Sequence, residues 1–393
     1  MKKKTIIYIG GFELPDKNAA AHRVVNNAKA LRDLGYNVVF IGTHKKESRK
    51  IQKDVYFDFT AYSTPYPNTK ISWFKYITEL NDYQEIIELY KDVHSLILYN
   101  LPAISIKRLI GYSKNRDIKL YSDCTEWYEA PKEGNILMRI IKKLDIRYRM
   151  EHLHLQLDGV ISISKFLHNY YINKNVKSIL LPPLVDMRDE KWKKKEIIEN
   201  SKLTNFVYAG SPFLVTNKSY VKDQLDVFIA AFHKELNFSQ NFHLHIIGVT
   251  LKDFLLFYPH LQKEMKDLDS NLTFYGRKSH LFVLDLLKKA DFSIFYREKT
   301  LTNTAGFPTK LVEAISSSTA VITNSTSNIS DYLVEGENSF LIPDNNVVTI
   351  DNVIHEVLGL DEYRKANIKK YKEKNCLIFD YRNYLNEFKE FLK

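Results

Sequence analysis

The residues best suited to chemistry lie in the run Arg297-Glu298-Lys299-Thr300-Leu301-Thr302-Asn303-Thr304-Ala305-Gly306-Phe307-Pro308-Thr309-Lys310-Leu311-Val312-Glu313. An apolar strand ending at Phe295 feeds this polar loop, Gly306-Phe307-Pro308 sets a turn, and a helix then opens with proline near its first position. The unpaired N–H groups of such a helix start attract an anion. Arg297 and Lys310 bracket it with positive charge, and Thr309 stands beside it. Glu313 falls about one turn into the helix, where its carboxylate can accept two hydroxyls of a ribose. A nucleotide sugar has these requirements, although an ordinary loop with a capped helix shows the same pattern.

Further groups stand at other strand ends. Tyr208-Ala209-Gly210-Ser211-Pro212 closes one strand, and Lys222-Asp223 opens the next helix, from which Lys222 can reach a diphosphate or simply stay solvated. Gly10-Gly11-Phe12 follows the first strand, where glycines let backbone approach a ligand. The run lacks a full G-x-G-x-x-G and a Walker lysine, which disfavours a classical dinucleotide or P-loop site. His22, early in the first long helix, is a candidate for facing the donor. Asp123-Cys124-Thr125-Glu126-Trp127-Tyr128 follows a strand whose loop points to the ligand edge of a doubly wound sheet, so Asp123 and Glu126 are candidates to orient an acceptor hydroxyl. The single Asp-x-Asp match, Asp267-Leu268-Asp269, reads as a solvated helix end.

These residues need a scaffold. Short apolar runs alternate with helix-length segments, which is the pattern of stacked βα units. Thr5–Ile9, Asn37–Ile41, Ser95–Leu98, Ile118–Tyr121, Gly159–Ile163 and Ser178–Leu181 form one series, with a helix over Ala19–Leu34. Asn205–Tyr208, His243–Ile247, Asn271–Phe274, Phe292–Phe295, Ala320–Thr323 and Ser339–Ile342 form a second. Pro182-Pro183 and the charged stretch 186–200 separate them as a hinge. The expected fold class is α/β with two Rossmann-like domains, 1–183 and 184–378. A final helix in 379–393 carries Tyr384, Leu385, Phe388, Phe391 and Leu392 at helical spacing. A length of 393 residues with 45% hydrophobic content suits two cores.

Net charge of +10 is compatible with nucleic acid, an anionic membrane or a phosphorylated substrate. No zinc finger, RNP motif or arginine-rich arm favours nucleic acid, and none is expected as a partner. Two cysteines, Cys124 and Cys376, suggest neither a disulfide framework nor a zinc site. No signal peptide or spanning segment is read, so a cytoplasmic location is expected. Residues 137–149 place Arg139, Lys142, Lys143, Arg147 and Arg149 against Asp145 alone, beside Leu137, Ile140, Ile141 and Leu144. This helix suits the inner face of the plasma membrane, or equally a stripe packed on the domain's own sheet.

Taken in order, Gly306-Phe307-Pro308 to Glu313-Ala314, Ala320-Val321-Ile322-Thr323, Asp331 and Glu337-Asn338-Ser339-Phe340-Leu341-Ile342 resemble the donor half of family 4 retaining glycosyltransferases. Gly10-Gly11, Asp158 to Ser164, Gly210 and Lys222 extend the resemblance over nearly the whole chain. It implies the GT-B fold, two facing Rossmann-like domains with a C-terminal crossover helix. It also implies metal-independent, retaining hexosyl transfer without a cofactor, from a nucleotide-diphosphate sugar, UDP favoured, to a glycan, lipid-linked or protein-glycan acceptor. Lys222, Arg297 and Glu313 would carry catalysis, with Gly10, Gly11, Gly210, Asn303, Gly306, Phe307, Pro308, Thr309 and Lys310 on the donor. The family places a glutamate where Ala305 stands, so Asn303 or Glu298 would substitute, and an arginine where Ser211 stands. The alanine also motivates another reading, a non-catalytic GT-B adaptor that binds glycan or a partner enzyme.

Overall fold

The computed structural model describes residues 3–45, 50–129, 135–193, 203–214, 217–343 and 348–393. The chain divides into two compact units, Met1–Asp186 with Thr304–Phe307 and Asp380–Lys393, and Met187–Asn303 with Pro308–Phe379. Residues 194–200 of the stretch read as a hinge lie outside the described residues.

The first unit contains β1 (Thr5–Gly10), β2 (Asn37–His44), β3 (Gln52–Tyr56), β4 (Phe59–Pro65), β5 (Val93–Tyr99), β6 (Lys119–Cys124), β7 (Gly159–Ser162) and β8 (Ser178–Leu180). They form one sheet in the order β3-β4-β2-β1-β5-β6-β7-β8, parallel except for the antiparallel β3. Its helices are α1 (Ala19–Asp33), α2 (Lys70–Thr78), α3 (Asn81–Glu88), α4 (Ala103–Lys114), α5 (Ile136–Tyr148) and α6 (Lys165–Ile172). Successive side chains of a strand point to opposite faces, and both faces are buried, so these strands read as continuous apolar runs. Ile6, Tyr8 and Phe40 meet Val24, Ala28 and Leu31 of α1 in one core. Ile7, Ile9, Val39 and Ile41 meet Ile86, Ile106 and Leu109 in the other. The β3–β4 hairpin is absent from the sequence reading. Its edge strand is polar and mostly exposed, and its turn uses Phe57 and Asp58 at positive φ in place of glycine.

The second unit contains β9 (Thr204–Ala209), β10 (Phe213–Leu214), β11 (Asn217–Val221), β12 (Phe242–Ile247), β13 (Leu272–Gly276), β14 (Phe292–Ile294), β15 (Ala320–Asn324) and β16 (Ser339–Ile342). Six of these form a parallel sheet ordered β13-β12-β9-β14-β15-β16, and β10 pairs with β11 apart from it. Along this part of the chain run α7 (Leu225–Glu235), α8 (Leu251–Phe257), α9 (Gln262–Asp267), α10 (His280–Leu287), α11 (Leu301–Ala305), α12 (Thr309–Ser316), α13 (Val348–Leu358) and α14 (Glu362–Asn375). Phe206, Phe232, Phe242 and Phe292 dominate the core.

The last helix, α15 (Leu385–Phe391), belongs to the first unit. Phe388 and Phe391 are buried there, and the Phe391 ring centroid lies 4.8 Å from that of Tyr121. Gly159 is obligatory for this fit, because a Cβ at that position would sit 2.7 Å from the Phe391 ring. The sequence-derived expectation of a terminal helix returning to the first series therefore holds.

Candidate functional site

In a parallel sheet the ligand edge lies beyond the carboxyl ends of the strands. In the second unit, β9, β12, β14 and β15 bring Gly210, Gly248, Arg297 and Asn324 to that edge or directly beyond it. Gly210 and Gly248 are in close backbone contact, since a Cβ on Gly248 would meet the Gly210 carbonyl oxygen at 2.2 Å. A Cβ on Gly210 would in turn lie 2.7 Å from Lys310 Nζ. Gly210 has φ +151°, a backbone conformation that other residues adopt only with strain, and it leaves room for the Lys310 ammonium, which α12 directs back toward the end of β9.

Lys310 and Arg297 are both buried and share a single carboxylate, Asp223. Arg297 Nε donates to Asp223 Oδ1 at 3.0 Å, Lys310 Nζ donates to Oδ2, and Tyr208 Oη donates to Oδ2 at 2.8 Å. The Lys310 ammonium also stands 4.1 Å from the centre of the Tyr208 ring. Asn324 fixes the Arg297 backbone from both sides, its Oδ1 accepting the Arg297 N–H at 2.9 Å and its Nδ2 donating to the Arg297 carbonyl at 2.7 Å. Gln224 N donates to the Tyr296 carbonyl at 3.1 Å, which joins the loop bearing Asp223 to the end of β14.

The charges do not balance within the cluster. Burial alone would raise the Asp223 carboxyl, but Lys310 and Arg297 outweigh it and hold the group well below the usual carboxylate range. Lys310 is lowered to about 8, first by burial and then by Arg297 and Lys222, against the pull of Asp223. Lys222 itself is exposed beside this cluster. Among the described residues two buried cations, Lys310 and Arg297, thus share the Asp223 carboxylate, an arrangement that an added anion would stabilise.

The remaining predicted residues separate into groups. Glu313 is half-buried on α12 with its Oε1 3.2 Å from His280 Nε2 at the start of α10. Pro308 precedes α12 without a side-chain cap, and Thr309 begins the helix. Asn303 Nδ2 donates to the Glu298 carbonyl at 2.8 Å, while Glu298 Oε1 accepts from Gln224 Nε2 at 3.0 Å. Gly306 and Phe307 belong with the first unit, as does Ala305, which is fully buried and whose carbonyl accepts a 2.7 Å bond from Ser164 Oγ.

In the first unit the sequence expectation for Asp123 is corrected. Asp123 is fully enclosed, accepts from Arg23 Nη2 at 2.7 Å and Nε at 2.9 Å, and accepts from the Tyr8 hydroxyl and, at 3.3 Å, from Asn27 Nδ2. A carboxylate so occupied is an internal counter-ion and does not orient an acceptor hydroxyl. Glu126 is half-buried and bonded to the Tyr128 hydroxyl, whose acidity is weakened by burial and by this carboxylate. His22 is half-buried in the first turn of α1, behind the Asn18 cap. Gly10 is shaped by packing, since a Cβ there would lie 2.5 Å from the Tyr99 carbonyl oxygen, whereas Gly11 is exposed. Asp267 pairs with His233 at 2.8 Å.

Sequence reasoning assigned no role to Asp223, Tyr208 or Asn324. Asp223 had one signal, its place next to Lys222 after a strand end. Asn324 had only its position at the end of an apolar strand.

Residues 199–374 match the sequence model of the family described as glycosyl transferases group 1. No curated protein sequence matches the chain. Many solved structures are similar to it, among them three that align over nearly its full length. A glycosyltransferase from Rickettsia africae aligns with TM-score 0.68 and 15% identity, covering 100% of each chain. A sucrose-phosphate synthase from Thermosynechococcus elongatus aligns with TM-score 0.67 and 12% identity, covering 99% of this chain and 98% of the other. The Anabaena protein HepE, solved with UDP and glucose, aligns with TM-score 0.64 and 13% identity, covering 99% of each. Residues 199–374 are thus similar to the glycosyl transferases group 1 family, in a chain with the GT-B fold.

Proposed function

We propose that the protein transfers a hexosyl group, with retention of anomeric configuration, from a nucleotide-diphosphate sugar to a glycan, lipid-linked or protein-glycan acceptor. The observation that carries this reading is the buried pair Lys310 and Arg297 on one carboxylate at the ligand edge of the region that matches the group 1 family. A departing diphosphate needs positive charge that is already in place, and fixed cations in a site of low polarity supply it without reorganisation. Lys310 and Lys222 would bear on the phosphates, Arg297 would hold Asp223, and Glu313 would take the ribose hydroxyls. The acceptor oxygen would then attack on the face that the phosphate leaves, and a phosphate oxygen would take its proton. Every charge in this scheme comes from side chains, so no metal or cofactor is invoked. UDP is favoured as the carrier, since HepE was solved with UDP and glucose.

Calorimetry against UDP, GDP and ADP tests the reading directly. Binding to one of them, weakened in Lys222→Ala, is expected; no heat with any nucleotide would sink it. Glu313→Ala is expected to raise the donor KM about 10- to 30-fold, as two hydrogen bonds of roughly 1 kcal/mol each are lost. An unchanged KM would remove Glu313 from the ribose.

Ala305 supports one other reading, the non-catalytic adaptor. Its methyl group is buried where the family pattern has a glutamate. On that reading nucleotide binding is weak and no sugar is released from any donor.

A further inference from the structure

Helix α5 is amphipathic in the reverse sense. Its least exposed positions in the described structure are Arg139, Asp145 and Ile146, and Asp145 Oδ1 accepts the Ala103 N–H at 2.8 Å, capping the start of α4. At 100° per residue these positions lie on one side of the helix, and Leu137, Ile140, Ile141 and Leu144 lie opposite them. Those four are exposed by 62%, 51%, 48% and 60%, and no residue of the helix is buried. The apolar stripe that could have packed on the sheet therefore points away from it.

Helix α2 packs on α4 as α5 does, and it exposes Ile71, Trp73 and Phe74, while Ile104 of α4 is also exposed. The exposed basic residues of the three helices are Lys70, Lys75, Lys107, Arg108, Lys114, Lys142, Lys143 and Arg147, of which Arg147 pairs with Glu151 at 2.8 Å. The one acid among them, Asp145, is spent on the α4 cap. Large exposed apolar side chains mark an interaction surface, and their cationic flanks select an anionic one. Aromatic residues such as Trp73 favour the boundary between water and hydrocarbon.

We infer that the α2–α4–α5 face of the first unit docks on a lipid bilayer carrying anionic headgroups, with the α5 stripe and the Trp73-Phe74 pair entering the interface. Three features distinguish a bilayer from a folded partner: exposed positive charge on all three helices, flexible aliphatic side chains, and a partly exposed tryptophan on α2. This surface lies within the first unit and does not depend on the donor chemistry of the second.

Co-sedimentation of the full chain with vesicles of phosphatidylcholine alone, or mixed with phosphatidylglycerol, tests the inference. Binding is expected to the mixed vesicles only, to weaken as salt is raised, and to shift the tryptophan emission to shorter wavelength in a manner lost in Trp73→Phe. Lys142→Gln with Lys143→Gln is expected to reduce binding about 10- to 30-fold. Ile140→Ser with Ile141→Ser and Leu144→Ser should abolish it, with circular dichroism unchanged because these side chains are already in water. Absence of binding to the mixed vesicles overturns the inference, as does binding that neither set of substitutions affects. A lipid-free dimer that the triple-serine variant dissociates would assign the face to a second copy and also overturn it.

Discussion

Replacing Lys310 with glutamine is expected to slow sugar transfer by about 10²- to 10³-fold, the scale seen when one preorganised group facing a developing charge is removed. The loss should appear in kcat more than in KM, because the leaving diphosphate carries more charge on the departing oxygen than the bound donor does. The pH dependence gives the sharper result. Lys310 is lowered to about 8, so kcat/KM is expected to be flat below that pH and to fall toward tenfold per unit above it. In Lys310→Arg the fall should vanish, since a guanidinium does not titrate in that range. The sign for stability is the reverse. Between about 8 and its ordinary value of 10.5 the unfolded chain binds the lysine proton and the folded chain does not, so this group's contribution to stability rises with pH. Asp223→Asn removes the one carboxylate that steadies the ammonium, and the activity fall should move below pH 8. A profile that stays flat to pH 9.5 would take Lys310 out of the reaction.

The sequence showed the βα series because strands buried on both faces are continuous apolar runs, which Ile6 to Ile9, Val38 to Ile41 and Ala320 to Ile322 all display. It missed β3 and β4 because an edge strand such as Gln52–Tyr56 carries no apolar period and its turn has no glycine. In the candidate site, Arg297, Lys310 and Gly210 were singled out from residue type next to a strand end or helix start. What could not be read was which charges cancel. Lys310 and Asp223 stand 87 residues apart in sequence, and their pairing depends on α12 pointing its first turn at the end of β9. The same blindness made Asp123 look like a ligand-facing acid. Its partner Arg23 lies 100 residues away on α1, and the strand-end rule that placed Asp123 near the edge says nothing about which side chains close over it.

That buried pair carries the second large effect. Arg23 spans three elements: it donates to Asp123 on β6, and its Nη1 donates to the Leu181 carbonyl at 3.0 Å and the Pro182 carbonyl at 3.2 Å beyond β8. Asp123 in turn accepts from Tyr8 on β1, whose hydroxyl stays protonated because burial and the carboxylate both raise its pKa. Arg23→Met leaves a fully buried carboxylate without its cation and two carbonyls without a donor, so about 3–5 kcal/mol of stability should be lost in urea unfolding followed through the first unit. Adding Asp123→Leu to Arg23→Met should recover part of that loss, because the cost of a broken buried pair lies mainly in the charge left behind. If the double variant is instead destabilised by the sum of the two single losses, the carbonyl bonds rather than the charge dominate. The same variants separate a structural Asp123 from an acceptor-binding one. An internal counter-ion predicts that Asp123→Asn lowers the unfolding midpoint and leaves the acceptor KM of the surviving folded protein unchanged. A raised acceptor KM with an unaltered midpoint would return Asp123 to the acceptor.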